Sequence, residues 1–147
     1  MRRLNLFTSI FIILSLLLMV VPAQAATPES FYMVKACSGP GICTITDATA
    51  PFDVFIGSMV TYDNYHFGPD AAGNVHMTAG ILLTSAEDPQ DTASGIVSWV
   101  YHNGDFTGHL SLQSGTGDFE GVHANGEIGL LTWPTTFDFS GHYFIAP

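Results

Sequence analysis

The chain has 147 residues and carries 13 acidic side chains against three basic ones, giving a formal net charge of −10. Its three basic residues are Arg2, Arg3 and Lys35, so nearly all of the chain lacks the cations with which proteins hold phosphate. This balance excludes nucleic acid and anionic lipid as partners, and it leaves neutral, apolar or cationic molecules.

The N-terminus has the pattern of a cleavable secretion signal. Two arginines precede an apolar run over residues 7–21, and Ala23-Gln24-Ala25 has the small-x-small form that signal peptidases cut. The run is shorter than the roughly 20 apolar residues that a membrane helix needs, which favours cleavage over an uncleaved anchor. We therefore predict a signal peptide at 1–25 and a mature domain at 26–147, without a membrane span, exported to the periplasm or the medium.

Cys37 and Cys43 are the only two cysteines, and they enclose Ser-Gly-Pro-Gly-Ile. In an oxidising compartment a pair this close favours a disulfide, whereas a reactive dithiol usually has two intervening residues rather than five. Removal of the signal would leave Lys35 as the only lysine or arginine. The bidentate clamp that arginine offers to carboxylate or phosphate would then be absent.

The mature domain shows no sustained helical periodicity. Runs rich in Val, Ile, Phe, Tyr and Thr alternate with turn clusters, which is typical of antiparallel strands in a sandwich or barrel. About eight such strands fit a small closed barrel whose interior holds side chains or one small ligand. We predict an all-β fold, a single antiparallel β-barrel of about eight strands. The predicted strands cover 30–37, 42–47, 52–63, 75–85, 95–102, 105–113, 118–123 with 126–132, and 137–145.

Asn103-Gly104 is the clearest turn signal in the chain. It predicts a two-residue turn with positive φ at both positions, which fixes the register of the hairpin around it. Tyr101 should then pair with Phe106, and Trp99 with Gly108. Alternation predicts a buried face made of Val97, Trp99, Tyr101, Phe106, Gly108 and Leu110.

A short phrase recurs three times, as DFTGH at 105–109, DFEGVH at 118–123 and DFSGH at 138–142. Each copy places an aromatic residue and a glycine two positions apart, hence on one face of a strand, with the acid on the other. Strand glycines mark bends or close approaches, which a small barrel needs in order to turn its corners. The repeat therefore has a structural explanation that requires no chemistry.

The stretch from Ser114 to Gly121, running on to Gly126, contains the pattern G-T-G-x-F-x-G…G. It resembles a segment of the allene oxide cyclase and dirigent-like β-barrel superfamily, including its uncharacterised bacterial exported branch, over about residues 95–145. The resemblance implies an antiparallel barrel around an apolar cavity. The plant enzymes of this superfamily steer a cyclisation by shape, and dirigent proteins orient phenolic radicals. No catalytic residue is carried over, because positions outside the glycine motif do not match.

Six histidines lie among the acids, but their spacing fits no zinc motif such as H-E-x-x-H. Alternation places His102, His109 and His142 on polar faces, where hydrated surface histidines are the common outcome. Metal binding on this Asp/His face is an alternative. We predict no cofactor and assign no metal ligand.

His123 shares the inward parity of Phe119 and Gly121. A histidine on an apolar face is more often a hydrogen-bonded core residue than a catalyst. If His123 faces a cavity with Glu120 or Glu127 nearby, it is the best candidate for acid–base catalysis.

Trp99, Tyr101, His123 and Tyr143 are the predicted ligand-binding residues, although large rings also simply fill a barrel core. Without a catalytic motif, the first hypothesis is an exported, non-enzymatic barrel that binds a small neutral or apolar molecule or serves a structural role. A cavity enzyme of the cyclase or isomerase type is the second hypothesis, and a metal-binding protein is the third. The sequence leaves the ligand and the oligomeric state open.

Overall fold

The computed structural model describes residues 27–146, so the signal peptide predicted at 1–25 lies outside the described residues. Eight antiparallel strands pair in chain order, and the last pairs with the first to close a barrel. The strands are β1 (Glu29–Gly39), β2 (Ile42–Ala48), β3 (Met59–Pro69), β4 (Val75–Thr84), β5 (Thr92–His102), β6 (Asp105–Thr116), β7 (Val122–Thr132) and β8 (Thr136–Ile145). The all-β, eight-stranded antiparallel barrel predicted from the sequence is confirmed.

Alternation along the strands builds the core. In β4 every second residue from Met77 to Leu83 is buried, and the residues between them face outward or are half-buried. Met77 pairs with Trp99, and Ala79 pairs with Val97, so the inward side chains of neighbouring strands lie side by side. Since the side-chain period of a strand is two, this pattern puts one face of every strand inside the barrel.

The hairpin of β5 and β6 has the predicted register. Asn103 and Gly104 have φ values of 50° and 95°, as a two-residue turn between strands of right-handed twist requires. Tyr101 pairs with Phe106 and Trp99 with Gly108. A Cβ at Gly108 would lie 2.8 Å from the Cβ of Trp99, so this glycine admits the indole side chain.

The segment 52–63, predicted as a strand, begins instead with a 3₁₀ helix at Phe52–Phe55, and β3 starts only at Met59. A 3₁₀ helix forms here instead of a strand because Phe52 and Phe55, three residues apart, both point into the barrel and are fully buried. A spacing of three matches the turn of a 3₁₀ helix, whereas it would put the two rings on opposite faces of a strand.

The segment 118–123 is also not a strand throughout. A second 3₁₀ helix covers Gly117–Phe119, and Gly117 and Gly121 both have positive φ, at 61° and 77°. These turns reset the alternation before β7 begins at Val122, which is buried. The inward orientation predicted for His123 is therefore wrong: its side chain is exposed on the outer face.

Cys37 and Cys43 pair across β1 and β2, and their sulfur atoms lie 2.08 Å apart in a disulfide bond. Both helices in the described residues are single 3₁₀ turns, so this part of the chain contains no helix with the length and hydropathy that a membrane crossing needs.

The two ends of the barrel differ. At the closed end, the long β2–β3 connection turns the Phe52–Phe55 helix into the interior, where Phe55 packs on Phe119 with ring centres 4.8 Å apart. At the open end lie the turns of the β1–β2, β3–β4, β5–β6 and β7–β8 hairpins, which contribute no such plug. The core therefore fills the closed end and the middle, and it leaves space at the open end.

Candidate functional site

A cavity of about 220 Å³ lies at the open end, between the β1–β2 turn and the β7–β8 turn. Six aromatic side chains contribute to its wall, and Met77 and the Cys37–Cys43 disulfide add sulfur atoms to it. The aromatic side chains of the wall are Tyr62, Tyr65, Phe67, Trp99, Trp133 and Phe137. An apolar concave site with few polar groups is the usual form of a small-molecule pocket.

Strand β3 supplies three of these rings because its register shifts between Asp63 and His66. Asn64, in the shifted stretch, has a positive φ of 46°. Simple alternation from Tyr62 would turn residues 64 and 66 inward. The extra residue turns Tyr65 and Phe67 to the cavity instead, as a β-bulge re-aims side chains.

Two tryptophans continue the aromatic wall. Trp99 lies with its ring centre 5.9 Å from those of Phe67 and Trp133 and 6.0 Å from that of Phe137. Trp133, in the β7–β8 turn, stacks on Tyr101 at 4.3 Å and is 40% exposed, so it lies at the mouth. These distances are typical of packed aromatic pairs.

Lys35 is the one cationic side chain in the cavity wall. It follows Phe31 and Met33 in the inward alternation of β1, and only 1% of it is exposed. Its Nζ donates a hydrogen bond to the Tyr62 hydroxyl oxygen at 3.1 Å. The same nitrogen lies 5.1 and 5.0 Å from the ring centres of Phe137 and Phe139, within the range of cation–π attraction.

Burial dominates the electrostatics of this pair. Loss of water around the amine lowers the pKa of Lys35 to about 7, so amine and ammonium forms coexist near neutral pH. Burial, with a smaller contribution from Tyr65, raises the pKa of Tyr62, so its phenol stays protonated. Among residues 27–146 the ion pair is His76–Asp70 on the surface, and Lys35 has no carboxylate partner.

The structure brings two of the four predicted ligand-binding residues to the cavity. Trp99 lines it, and Tyr101 supports Trp133 at its mouth. Tyr143 lies at the closed end, where its ring meets Phe52 edge-on and its hydroxyl donates to Glu29. His123 stacks on Phe144 on the outer surface, with ring centres 5.0 Å apart.

Sequence reasoning missed Lys35 and the aromatic residues of β3. A signal for Lys35 was present, because the residues at 31, 33 and 35 alternate as one face of a strand that starts with Phe and Met. No comparable signal existed for Tyr65 and Phe67, since the shift that turns them inward is not visible in the residue pattern.

Within residues 27–146, no three side chains of His, Cys, Asp or Glu lie close enough together to hold a metal ion. In the β3–β4 turn, Asp70 accepts hydrogen bonds from Asn74, Ala72 and His76. These bonds hold the pKa of Asp70 below its ordinary value. The bonds close the turn. For the hypothesis of metal binding on the Asp/His face, the described part of the chain offers no group of three such side chains.

No protein-family model matches this chain, and no curated protein matches it.

Proposed function

We propose that this protein is an exported, non-enzymatic barrel that binds a small, flat, apolar molecule in the cavity at its open end. The observation that carries the proposal is a wall with six aromatic side chains, one of which, Tyr62, is hydrogen-bonded to the buried Lys35. Such a wall offers dispersion and ring-stacking contacts on several sides of a ligand, and the polar pair offers it one orientation.

The size of the cavity supports a ligand of about one ring. A dry apolar cavity of about 150 Å³ is enough to take up benzene in an engineered protein. The volume here is about 220 Å³, which leaves room for a ring with a short substituent. The space is smaller than the roughly 300 to 1,000 Å³ of pockets for drug-sized ligands, so a steroid or a long acyl chain is a poor fit.

The polar pair supports one oxygen on that ligand. Because the Tyr62 oxygen already accepts a hydrogen bond from Lys35, its own hydrogen is free to point toward a ligand. A carbonyl or hydroxyl oxygen at the inner end of the cavity would satisfy it. The apolar part of the ligand would then lie against the rings of Trp99, Phe67 and Trp133, nearer the mouth.

Export is supported by two independent features. The N-terminal residues have the pattern of a secretion signal, and the Cys37–Cys43 disulfide fits an oxidising compartment. The cyclase or isomerase hypothesis stays a prediction of the sequence, since its acid–base candidate, His123, lies on the outer surface.

Binding can be followed without a label, because Trp99 and Trp133 are the only two tryptophans of the chain and both line the cavity. We expect benzyl alcohol to change the tryptophan emission in a saturable way and to give a one-to-one stoichiometry in calorimetry. A linear, unsaturable response would contradict a defined site.

A matched pair of variants locates the binding. Trp133→Ala removes a wall of the mouth, and we expect it to weaken benzyl alcohol binding about 10-fold by calorimetry, as loss of one stacked ring costs about 1 kcal/mol or more. Leu131→Ala removes an exposed apolar side chain of the same hairpin that does not line the cavity, so its affinity should stay within about twofold. His123→Ala should behave like Leu131→Ala. Equal losses in Trp133→Ala and Leu131→Ala would place the ligand outside the cavity.

A further inference from the structure

Lys35 is the only lysine of the chain, and it lies in the cavity wall rather than on the surface. The chain has 13 acidic side chains with which a lysine could pair, yet the neighbours of this amine are Tyr62, Phe137 and Phe139. A buried ammonium without a carboxylate is costly, and methionine would fill the same space at lower cost. Such a placement in a cavity indicates a functional group.

The surroundings hold the amine in one place. Its hydrogen bond to Tyr62 holds the nitrogen 3.1 Å from the phenol oxygen, and the rings of Phe137 and Phe139 lie against it. Lys35 and Tyr62 both line the cavity, so a ligand that enters it meets a nucleophile and a proton donor side by side.

We propose that Lys35 captures an apolar aldehyde in the cavity as a covalent imine. This inference rests on the proposed function, because the aldehyde must first bind between the aromatic rings. It adds the chemical class of the ligand and the atom that retains it. The amine of a lysine in an apolar pocket is a known type of nucleophile toward carbonyl carbon.

The capture balances without any other reactant. The lone pair of Nζ forms a bond to the carbonyl carbon, and the carbonyl oxygen takes a proton from the Tyr62 hydroxyl while the nitrogen returns one to the Tyr62 oxygen. The nitrogen then loses its second proton, by the same route, to the new hydroxyl group. The C–O bond breaks, water leaves, and the nitrogen lone pair completes the C=N bond. Amine and aldehyde become imine and water, with no oxidation or reduction.

The ionisation of the site suits this step. Desolvation lowers the pKa of Lys35 to about 7, so about half of the side chains carry the free amine at that pH. An ordinary lysine, with a pKa near 10.4, has on the order of one amine in a thousand there. The other titratable groups in the wall are the phenols of Tyr62 and Tyr65, and burial raises the pKa of both. Neither phenol competes for the proton near neutral pH.

The test uses benzaldehyde as the probe and benzyl alcohol as its non-reactive match. Purified protein is incubated with benzaldehyde and sodium cyanoborohydride at pH 7, and the reduced adduct is located by peptide mass spectrometry. We expect one adduct at Lys35, formed about 500-fold faster than on a lysine model peptide, in proportion to the fraction of free amine. Its rate should reach half of its maximum near pH 7 rather than near pH 10. Because the chain has one lysine, the only competing amine is the N-terminal one, which the mapping separates.

Three variants separate the possible causes. Lys35→Met should lose the adduct, which leaves the N-terminal amine as the remaining site of reaction. Tyr62→Phe should keep the lysine but form the adduct about 10-fold more slowly, since the proton relay is gone. Leu131→Ala should match the wild type in both measurements.

The outcomes distinguish the two proposals. If benzyl alcohol binds and no Lys35 adduct forms, or it forms no faster than on the peptide, covalent capture is overturned and the binding function stands. If benzyl alcohol does not bind, the proposed binding function is overturned, and covalent capture, which rests on it, is overturned with it. Tighter binding of benzoate than of benzyl alcohol, with no adduct, would also overturn capture, since Lys35 would then serve as an ammonium partner for a carboxylate.

Discussion

The two ends of this barrel are built from the same kind of side chain and do different things. At the closed end, Phe52 and Phe55 enter from a 3₁₀ helix and pack on Phe119 with ring centres 5.5 and 4.8 Å away. At the open end, an equally aromatic set surrounds a cavity of about 220 Å³. The composition of the two ends does not explain the difference.

The route of the chain explains it. Phe52 and Phe55 belong to a connection between strands, so they are free to fold across the barrel and plug it. Most rings of the open end sit on strands and are held at the wall, while the turn at Asn103-Gly104 is too short to reach inward. Each end of this barrel is therefore filled or hollow according to whether a connection between strands carries side chains into the interior.

The largest expected effect is at the closed end. Phe52→Ala removes a fully buried ring, and we expect the free energy of unfolding to fall by about 3 to 5 kcal/mol in urea denaturation. Phe67→Ala, at the open end, removes a ring that is 49% exposed and should cost clearly less, about 1 kcal/mol. Equal losses would show that the open end is packed as tightly as the closed one.

The variant Lys35→Met tests how much burial of the lysine at the open end lowers the free energy of unfolding. Folding lowers the pKa of Lys35 from its ordinary value of 10.5 to about 7, so between these values the unfolded chain binds more protons than the folded one. Stability of the wild type therefore rises with pH across this window, at up to about 1.4 kcal/mol per unit, and below pH 7 the burial penalty is fully present. The variant lacks this penalty and should be more stable at pH 7 by about 2 to 4 kcal/mol.

The comparison is made by urea denaturation between pH 6 and pH 9, below the range in which the tyrosine phenols ionise in the unfolded chain. The variant should lose the rise in stability that the wild type shows above pH 7. A wild type and variant with parallel pH profiles would mean that Lys35 keeps an ordinary pKa in the barrel.

A smaller effect is expected at the rim of the cavity. Replacing both Cys37 and Cys43 by serine opens a short loop, so the loss of stability should be about 2 kcal/mol by the loop-entropy relation. Because the disulfide lines the cavity, benzyl alcohol should also bind a few-fold more weakly by calorimetry. A stability loss as large as that of Phe52→Ala would show that the open end depends on this link as the closed end depends on its plug.

Much of the barrel could be predicted because its signals are local. Asn103-Gly104 determines its own turn and, through it, the pairing of Trp99 with Gly108. The alternation of inward and outward residues along β4 or β8 can be predicted without knowing which strand lies beside it. The inward orientation predicted for His123 was wrong because Gly117 and Gly121 have positive φ. The inward–outward alternation therefore does not continue from Phe119 to the start of β7.

The candidate site could be predicted only in part. Trp99 lies in the cavity wall because the hairpin register places it inside, whereas Tyr143 lies at the closed end, since an inward parity does not say at which end of the barrel a ring lies. Lys35 was noticed for its charge but not for its position, since a lysine is seldom fully buried. Its burial depends on partners from β3 and β8 that are distant in the chain.

By itself the sequence determined most of the strands, the main hairpin register and the close pair of cysteines, because period-two alternation, Asn-Gly turns and short spacings act over a few residues. Only the tertiary structure decided that one end is plugged and the other is hollow, that the β3 bulge turns Tyr65 and Phe67 inward, and that the single lysine lies beside Tyr62. These features arise where strands far apart in the chain meet. The lowered pKa of Lys35 follows from that meeting, since neighbours from other strands remove the water around its amine.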